Sequence, residues 1–89
     1  MPGVKALINI IVKPKELDAV TNKLLSLPEV VDLYEVTGEY DIVALVSTNN
    51  IVEFREFLRN KVLKIKGVEM TNTSVIIFVH KREGKIVEG

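Results

Sequence analysis

The sequence predicts an α+β sandwich: a four-stranded antiparallel sheet with two helices on one of its faces. Three observations lead there. Four stretches are dominated by β-branched, aromatic and other apolar residues at strand-like lengths. Two others repeat apolar residues at the helical spacing. Along the chain they fall in the order strand, helix, strand, strand, helix, strand.

The centre of the pattern is Val36-Thr37-Gly38-Glu39-Tyr40-Asp41-Ile42-Val43. Val30 to Val36 reads as a strand. Thr37-Gly38-Glu39 then reverses the chain, because Gly38 can take a positive φ without a Cβ clash. Tyr40 to Ser47 is again strand-like and nearly all apolar except Asp41. A carboxylate among apolar neighbours is costly to bury without a partner. Asp41 is therefore either the anchor of a turn or a receptor for a positively charged group.

The remaining elements follow in order. Val4 to Val12 alternates weakly, with apolar residues on both parities, and reads as a strand. Lys13-Pro14-Lys15 ends it, since proline has no N–H for the ladder and suits the first turn of a helix. Leu17, Val20, Leu24, Leu25 and Leu27 form a helical stripe that Pro28 closes, and no good N-cap residue precedes Pro14. Asn50, with Glu53 three positions on, resembles a capping box. Behind it Ile51, Phe54, Leu58, Val62 and Ile65 mark a helical face, with Phe57 beside it and the charges of Arg55, Glu56, Arg59, Lys61, Lys64 and Lys66 on the solvated side. Gly67 stops the helix. Val68 to about His80 reads as the last strand, Lys81 to Lys85 as a turn, and Ile86-Val87-Glu88 as a short edge strand or a frayed end. Right-handed crossovers fold this order into the split-βαβ, or ferredoxin-like, arrangement.

Composition narrows the classes. The 89 residues suffice for one domain, 1–89, and 47% hydrophobic content supports a packed core. There is no cysteine, so neither a disulfide nor a thiolate metal site is available, and His80 is the lone histidine. Twelve basic and twelve acidic residues cancel, which disfavours a domain acting alone on nucleic acid. The start of the chain does not read as a signal peptide, and no apolar run approaches a membrane span. A cytoplasmic protein without metal or cofactor is expected.

Two helices cover only one face of the sheet, yet both faces carry apolar residues: Ala6, Ile8 and Ile10 against Leu7 and Ile11; Ile42, Ala44 and Val46 against Val43 and Leu45; Ile76 and Phe78 against Val75 and Ile77. An antiparallel sheet with one wet face normally alternates cleanly. The open face predicts a second copy packing sheet to sheet by two-fold symmetry. The polar-rich tail is too short to cover it.

With these residues placed, the chain resembles the effector-binding (RAM) domain of the Lrp/AsnC transcription regulators, from about Val4 to Lys81. The resemblance rests on Val36-Thr37-Gly38-Glu39-Tyr40-Asp41 entering an apolar strand, on the helix with Phe54, Phe57 and Leu58, and on Ile65-Lys66-Gly67-Val68 leading into Thr71-Asn72-Thr73. It implies a dimer formed through the sheets, assembly of dimers into octamers or similar rings, and an amino acid or related metabolite bound between dimers near the glycine turn. Carried over residue by residue, it points to Gly38, Glu39, Tyr40 and Asp41, with Thr71 and Thr73 nearby. Backbone N–H groups at the turn suit an α-carboxylate, and Asp41 suits an ammonium group. Family regulators carry an N-terminal helix-turn-helix domain, whereas this sequence begins at the sheet. The resemblance thus implies a stand-alone form with no direct nucleic-acid contact, acting through oligomerisation or co-assembly with full-length regulators.

Bland readings stand beside each candidate. Asp41 can satisfy N–H groups of its own turn, Gly38 can serve the turn alone, and Thr71 and Thr73 can pair across strands. Tyr34 and Tyr40 suit a core or an interface. Two other functions fit the same scaffold: a small cofactor-free enzyme, for which no nucleophile–base pair is visible, and a ligand-free oligomerisation partner. ACT-type amino-acid sensors share the fold as well.

Overall fold

A computed structural model describes residues 3–87. Strand β1 (Val4–Val12) leads through a 3₁₀ turn, Pro14–Glu16, into α1 (Leu17–Leu25). Strands β2 (Val30–Glu35) and β3 (Ile42–Thr48) form the central hairpin. Helix α2 (Ile51–Phe57) runs on into a π-helical turn, Leu58–Val62, and β4 (Val68–Val75) completes the sheet. A small hairpin, β5 (Lys81–Arg82) with β6 (Lys85–Ile86), ends the described chain. The sheet order is β2-β3-β1-β4, every neighbouring pair antiparallel, which is the ferredoxin-like interleaving the sequence predicts.

The helix-side face holds the core. Ala6, Ile8, Ile10 and Val12 of β1 and Ile42, Ala44 and Val46 of β3 are buried against Val20 and Leu24 of α1 and against Phe54, Phe57, Val62 and Ile65. Proline starts the first helical segment in place of a side-chain cap. The second starts on Asn50, whose Oδ1 accepts from the Glu53 N–H at 2.8 Å; the Glu53 carboxylate accepts in return from Asn49, one residue earlier than a capping box requires. The π turn alters which side chains face inward. Phe57 and Val62, five positions apart, are both buried, while Ile51, expected on the inner stripe, is exposed. Leu25 of the first stripe is exposed too.

The last strand is shorter than expected. It ends at Val75, and the residues to His80 leave the ladder. Val75 pairs with Ala6, and the Ile76 N–H makes one more bond to the Lys5 carbonyl at 2.8 Å. At that point β1 has almost no chain left to pair with, and a strand without a neighbour is not held. Ile77 is 93% exposed as a result. The segment 81–86 is a hairpin, not a plain turn; Glu88 of the expected edge strand lies outside the described residues.

The other sheet face is open. Register places Leu7 beside Leu45 and Ser74, Asn9 beside Val43 and Asn72, and Ile11 beside Met70. Tyr34 extends this face across β2. The tail reaches only one corner, where Ile76 and Phe78 border a cleft with Lys5 and Leu45. Leu7, Tyr34 and Met70 stay exposed.

One ion pair ties the helix layer to the hairpin: Lys61 Nζ donates to Glu29 Oε2 at 2.7 Å. Burial pushes the Glu29 carboxyl up, but the Lys61 hydrogen bond, the glutamate's own backbone N–H and the Lys61 charge together hold it below the usual carboxylate value. The stabilisation is therefore present above the unfolded value and is lost as pH falls through the lowered folded one. Glu29→Gln should lower stability at neutral pH by about 0.5 kcal/mol, because the pair is partly solvated. Thermal melts of the two proteins should converge on acidification; curves that stay parallel would remove the pair from the acid response.

Candidate functional site

Of the residues singled out by sequence, the turn residues lie at one end of the sheet, and Thr71 and Thr73 lie on the edge strand β4. The turn from Val36 to Asp41 needs glycine for conformation alone: Gly38 has φ +104°, and a Cβ there would meet nothing within 4 Å. Thr37, Gly38 and Glu39 project into solvent, whereas Tyr40 and Asp41 are half-buried.

Asp41 joins three strands. Its N–H donates to the Ile10 carbonyl at 2.9 Å, and its carbonyl accepts from the Val36 N–H at 2.9 Å. Its side-chain Oδ2 accepts from the Val12 N–H, also at 2.9 Å. The last bond has a clear cause. The β1–β3 ladder ends at the pair Ile10–Ile42, and the β1–β4 register shifts between Ile11 and Val12. Beyond that last β1–β3 pair the carboxylate takes the next β3-facing amide of β1, which no strand carbonyl receives. Asp41 is thus an anchor, as one of its two readings holds, but for a strand 29 positions away and not for its own turn. The second oxygen, Oδ1, is not engaged by that bond.

Thr71 and Thr73 lie on β4 opposite Ile10 and Ile8. Their register neighbours on β1 offer no hydroxyl, so cross-strand hydroxyl pairing is not what these threonines do. Asp41 meets β1 at Ile10 from the other side, so Thr71 and Asp41 flank the same point of β1, roughly 10 Å apart at ordinary strand spacing. The structure therefore sets Thr71 across β1 from Asp41 and Thr73 one pleat further along, and leaves Gly38 and Glu39 at the tip. Together they make a ledge, not a pocket.

The larger concavities of the single chain lie beside this ledge or away from it. A cleft of about 490 Å³ sits between the β1–α1 turn and the approach to β4, lined by Lys13, Pro14, Lys15, Glu16, Lys66 and Gly67. Its floor explains Gly67: with φ +103°, it packs so tightly that a Cβ would come within 2.4 Å of Glu16 Cβ. The Lys-Pro-Lys and Lys-Ile-Lys-Gly runs are plain in the sequence, but their meeting is not, since it depends on the Lys13 N–H bonding the Gly67 carbonyl at 2.9 Å. A second cleft, of about 540 Å³, lies near the opposite end of β3 beside the Glu29–Lys61 pair, with Phe57 beneath Lys61. Neither Pro28-Glu29 nor the π turn announces it in the sequence. His80 packs edge-on against Phe78, ring centroids 4.7 Å apart. Among the described residues no three His, Cys, Asp or Glu are grouped to hold a metal, and no helix is long and apolar enough to cross a membrane.

Known proteins with this sequence pattern and fold are consistent with one another. The HTH-type transcriptional regulator FL11 of Pyrococcus furiosus is 42% identical over 79 residues, which is 89% of this chain and 52% of the regulator. The HTH-type transcriptional regulator Ptr1 of Methanocaldococcus jannaschii is 30% identical over 83 residues, 93% of this chain and 56% of its own. The chain spans about half the length of the curated relatives it matches. Among solved structures, FFRP-DM1 superposes with a TM-score of 0.81 at 34% identity, covering 83% of this chain and 99% of its own. Escherichia coli AsnC superposes at 0.82 with 32% identity, covering 85% and 52%. The Lrp/AsnC ligand binding domain model matches residues 5–86, and to that family the chain belongs.

Proposed function

We propose that this chain is a regulatory module that binds an amino acid or a related small metabolite and acts on transcription through its state of assembly. The observation that carries the reading is the match of residues 5–86 to a ligand binding domain whose named relatives are transcriptional regulators. A structural neighbour adds to it: the Neisseria meningitidis regulator NMB0573, 22% identical with a TM-score of 0.83, is described in complex with L-Met.

The proposed site is the ledge of Gly38, Glu39, Tyr40, Asp41, Thr71 and Thr73. An exposed ledge holds a small molecule weakly until something walls it in, and a second copy is the proposed wall. Copies pair through their open sheet faces, and the dimers assemble further, by themselves or with full-length relatives that share the same faces. Amide donors of the glycine turn suit the ligand's carboxylate, and Asp41 Oδ1 suits its ammonium group. The proposed activity is binding, without turnover.

Thermal melting against each of the twenty amino acids, with mass read by light scattering, tests this. A ligand present at about 100 times its Kd raises native stability by about 2.7 kcal/mol. A selective rise in Tm with one chemical class is expected. A stable oligomer that responds to none of them would set the amino-acid reading aside.

A further inference from the structure

The cleft between the β1–α1 turn and the approach to β4 has no part in the ledge, and its lining leans to one chemistry. Of its six lining residues three are lysines, Lys13, Lys15 and Lys66, against a single carboxylate, Glu16. The lysines are exposed, Glu16 is half-buried and Gly67 is buried. Among the described residues the bases that stand within 4.0 Å of a carboxylate are Arg59 and Lys61, so the cleft lysines are not neutralised within the chain. The backbone adds donors. In the turn before β4 the Ile65 N–H donates to the Val62 carbonyl and the Val68 N–H to the Ile65 carbonyl, but the N–H groups of Lys66 and Gly67 have no acceptor among the described residues. A buried amide without an acceptor is uncommon, and a bound anion would supply one. The remaining lining is chiefly apolar. For these residue types that surface is the Pro14 ring and the methylene stems of Glu16 and the lysines.

From these features we infer that the cleft binds a small phosphate ester, its phosphate held by Lys13, Lys15, Lys66 and the Lys66–Gly67 amides, its carbon body along Pro14. Lysine carries a compact point charge that suits a phosphate. A flat carboxylate is best matched by the arginine fork, and no arginine lines the cleft. Successive amides at a turn through a glycine of positive φ, here +103°, form an anion-binding concavity. The volume, about 490 Å³, exceeds what a phosphate group alone fills and falls within the roughly 300–1,000 Å³ of small-molecule sites. Glu16 suits a hydroxyl or amine of the ligand's body. An extended polyanion fits less well. Asp41 bonds the Val12 amide next to Lys13, and Glu35 and Glu39 are exposed on the same hairpin, so a nucleic-acid strand leaving the cleft on that side meets like charge. The cleft shares no residue with the ledge, and the inference stands whether or not the ledge binds an amino acid.

The test titrates the whole chain with inorganic phosphate, a sugar phosphate, a nucleoside monophosphate and the same nucleoside without phosphate, reading affinity by calorimetry and position by backbone amide NMR. The Lys66 and Gly67 signals should move with every phosphate-bearing probe while those of Gly38 and Glu39 stay, and at least one ester should bind more tightly than inorganic phosphate. The free nucleoside should leave all of them in place. Raising salt from about 0.1 M to about 1 M, which shortens the Debye length from about 10 Å to about 3 Å, should weaken binding. Lys13→Gln/Lys66→Gln should weaken it roughly a hundredfold, about a decade for each charged hydrogen bond lost, with an unchanged Tm. Lys64→Gln, at an exposed lysine outside the cleft, is the control and should change nothing. Phosphate that moves only other signals overturns the inference, as does binding indifferent to salt and to the double variant, or signals moved as far by the free nucleoside. Esters that bind no more tightly than inorganic phosphate would reduce the cleft to an adventitious ion only. Tighter binding of citrate or of a single-stranded oligonucleotide would put a carboxylate ligand or a nucleic acid in the ester's place and overturn it too. Amino-acid binding is read separately at Gly38 to Asp41, so its failure is distinguishable.

Discussion

Leu7→Asp should turn the assembly into species that no longer pair through their sheets, while the fold survives. Leu7 stands at the middle of β1 on the open face, between Leu45 and Ser74, and is 37% exposed in the single chain. A carboxylate there reaches water in the free protomer, so the cost to folding is limited to strand propensity, at most about 1 kcal/mol. In the proposed sheet-paired dimer the same carboxylate is buried against apolar side chains of that face. An uncompensated buried charge costs roughly 3–5 kcal/mol, and two-fold symmetry imposes that cost twice. At about 1.4 kcal/mol per decade, dimerisation should weaken at least roughly a thousandfold. Light scattering at micromolar concentration should report the loss, with circular dichroism unchanged. Leu25→Asp, on an exposed part of α1, is the control and should leave the mass alone. If Leu7→Asp also leaves it alone, the open face is not where copies meet.

That face was legible in the sequence because it needs only parity. Leu7, Ile11, Val43 and Leu45 stand opposite the core residues of their own strands, and a period of two cannot hide them. The four strands, two helices and their order were legible for the same reason: each is a local repeat. What failed locally had non-local causes. Ile76 to Val79 are as apolar as any strand, yet a strand exists only where a neighbour remains to pair with it, and β1 runs out at that edge. Val62 follows Phe57 onto the buried face five positions on because a π turn inserts a residue into the helical phase, and no composition signals that insertion. At the candidate site, the conformation of Gly38 and the unusual position of Asp41 were both readable. The identity of Asp41's partner was not, because the Val12 amide is left over only where the pairing of β1 with β3 stops, 29 positions away in the chain. Gly67 was readable as a helix stop; its close contact with Glu16 depends on how two turns meet.

Asp41 now has a structural duty and a proposed binding duty, and two substitutions separate them. Asp41→Ala leaves the half-buried Val12 N–H without its acceptor, which should cost about 1–3 kcal/mol of stability, enough to show as a clear drop in Tm. Asp41→Asn keeps a carbonyl oxygen in place to accept from Val12 and removes only the negative charge. Its loss of stability should be smaller, about 1 kcal/mol or less, the difference between a charged and a neutral acceptor. Binding should then move in the opposite proportion. If Oδ1 receives an ammonium group, Asn presents a neutral amide to a cation, and affinity should fall roughly ten- to a hundredfold although the strand anchor is intact. If Asp41 is an anchor alone, Asn should bind any effector as the parent does, and Ala should lose affinity only as far as the turn is loosened. Calorimetry on both variants with the amino acid selected by melting decides between these outcomes. An anchor-only result would leave the turn amides as the ligand's partners, and so favour a ligand recognised chiefly through its carboxylate.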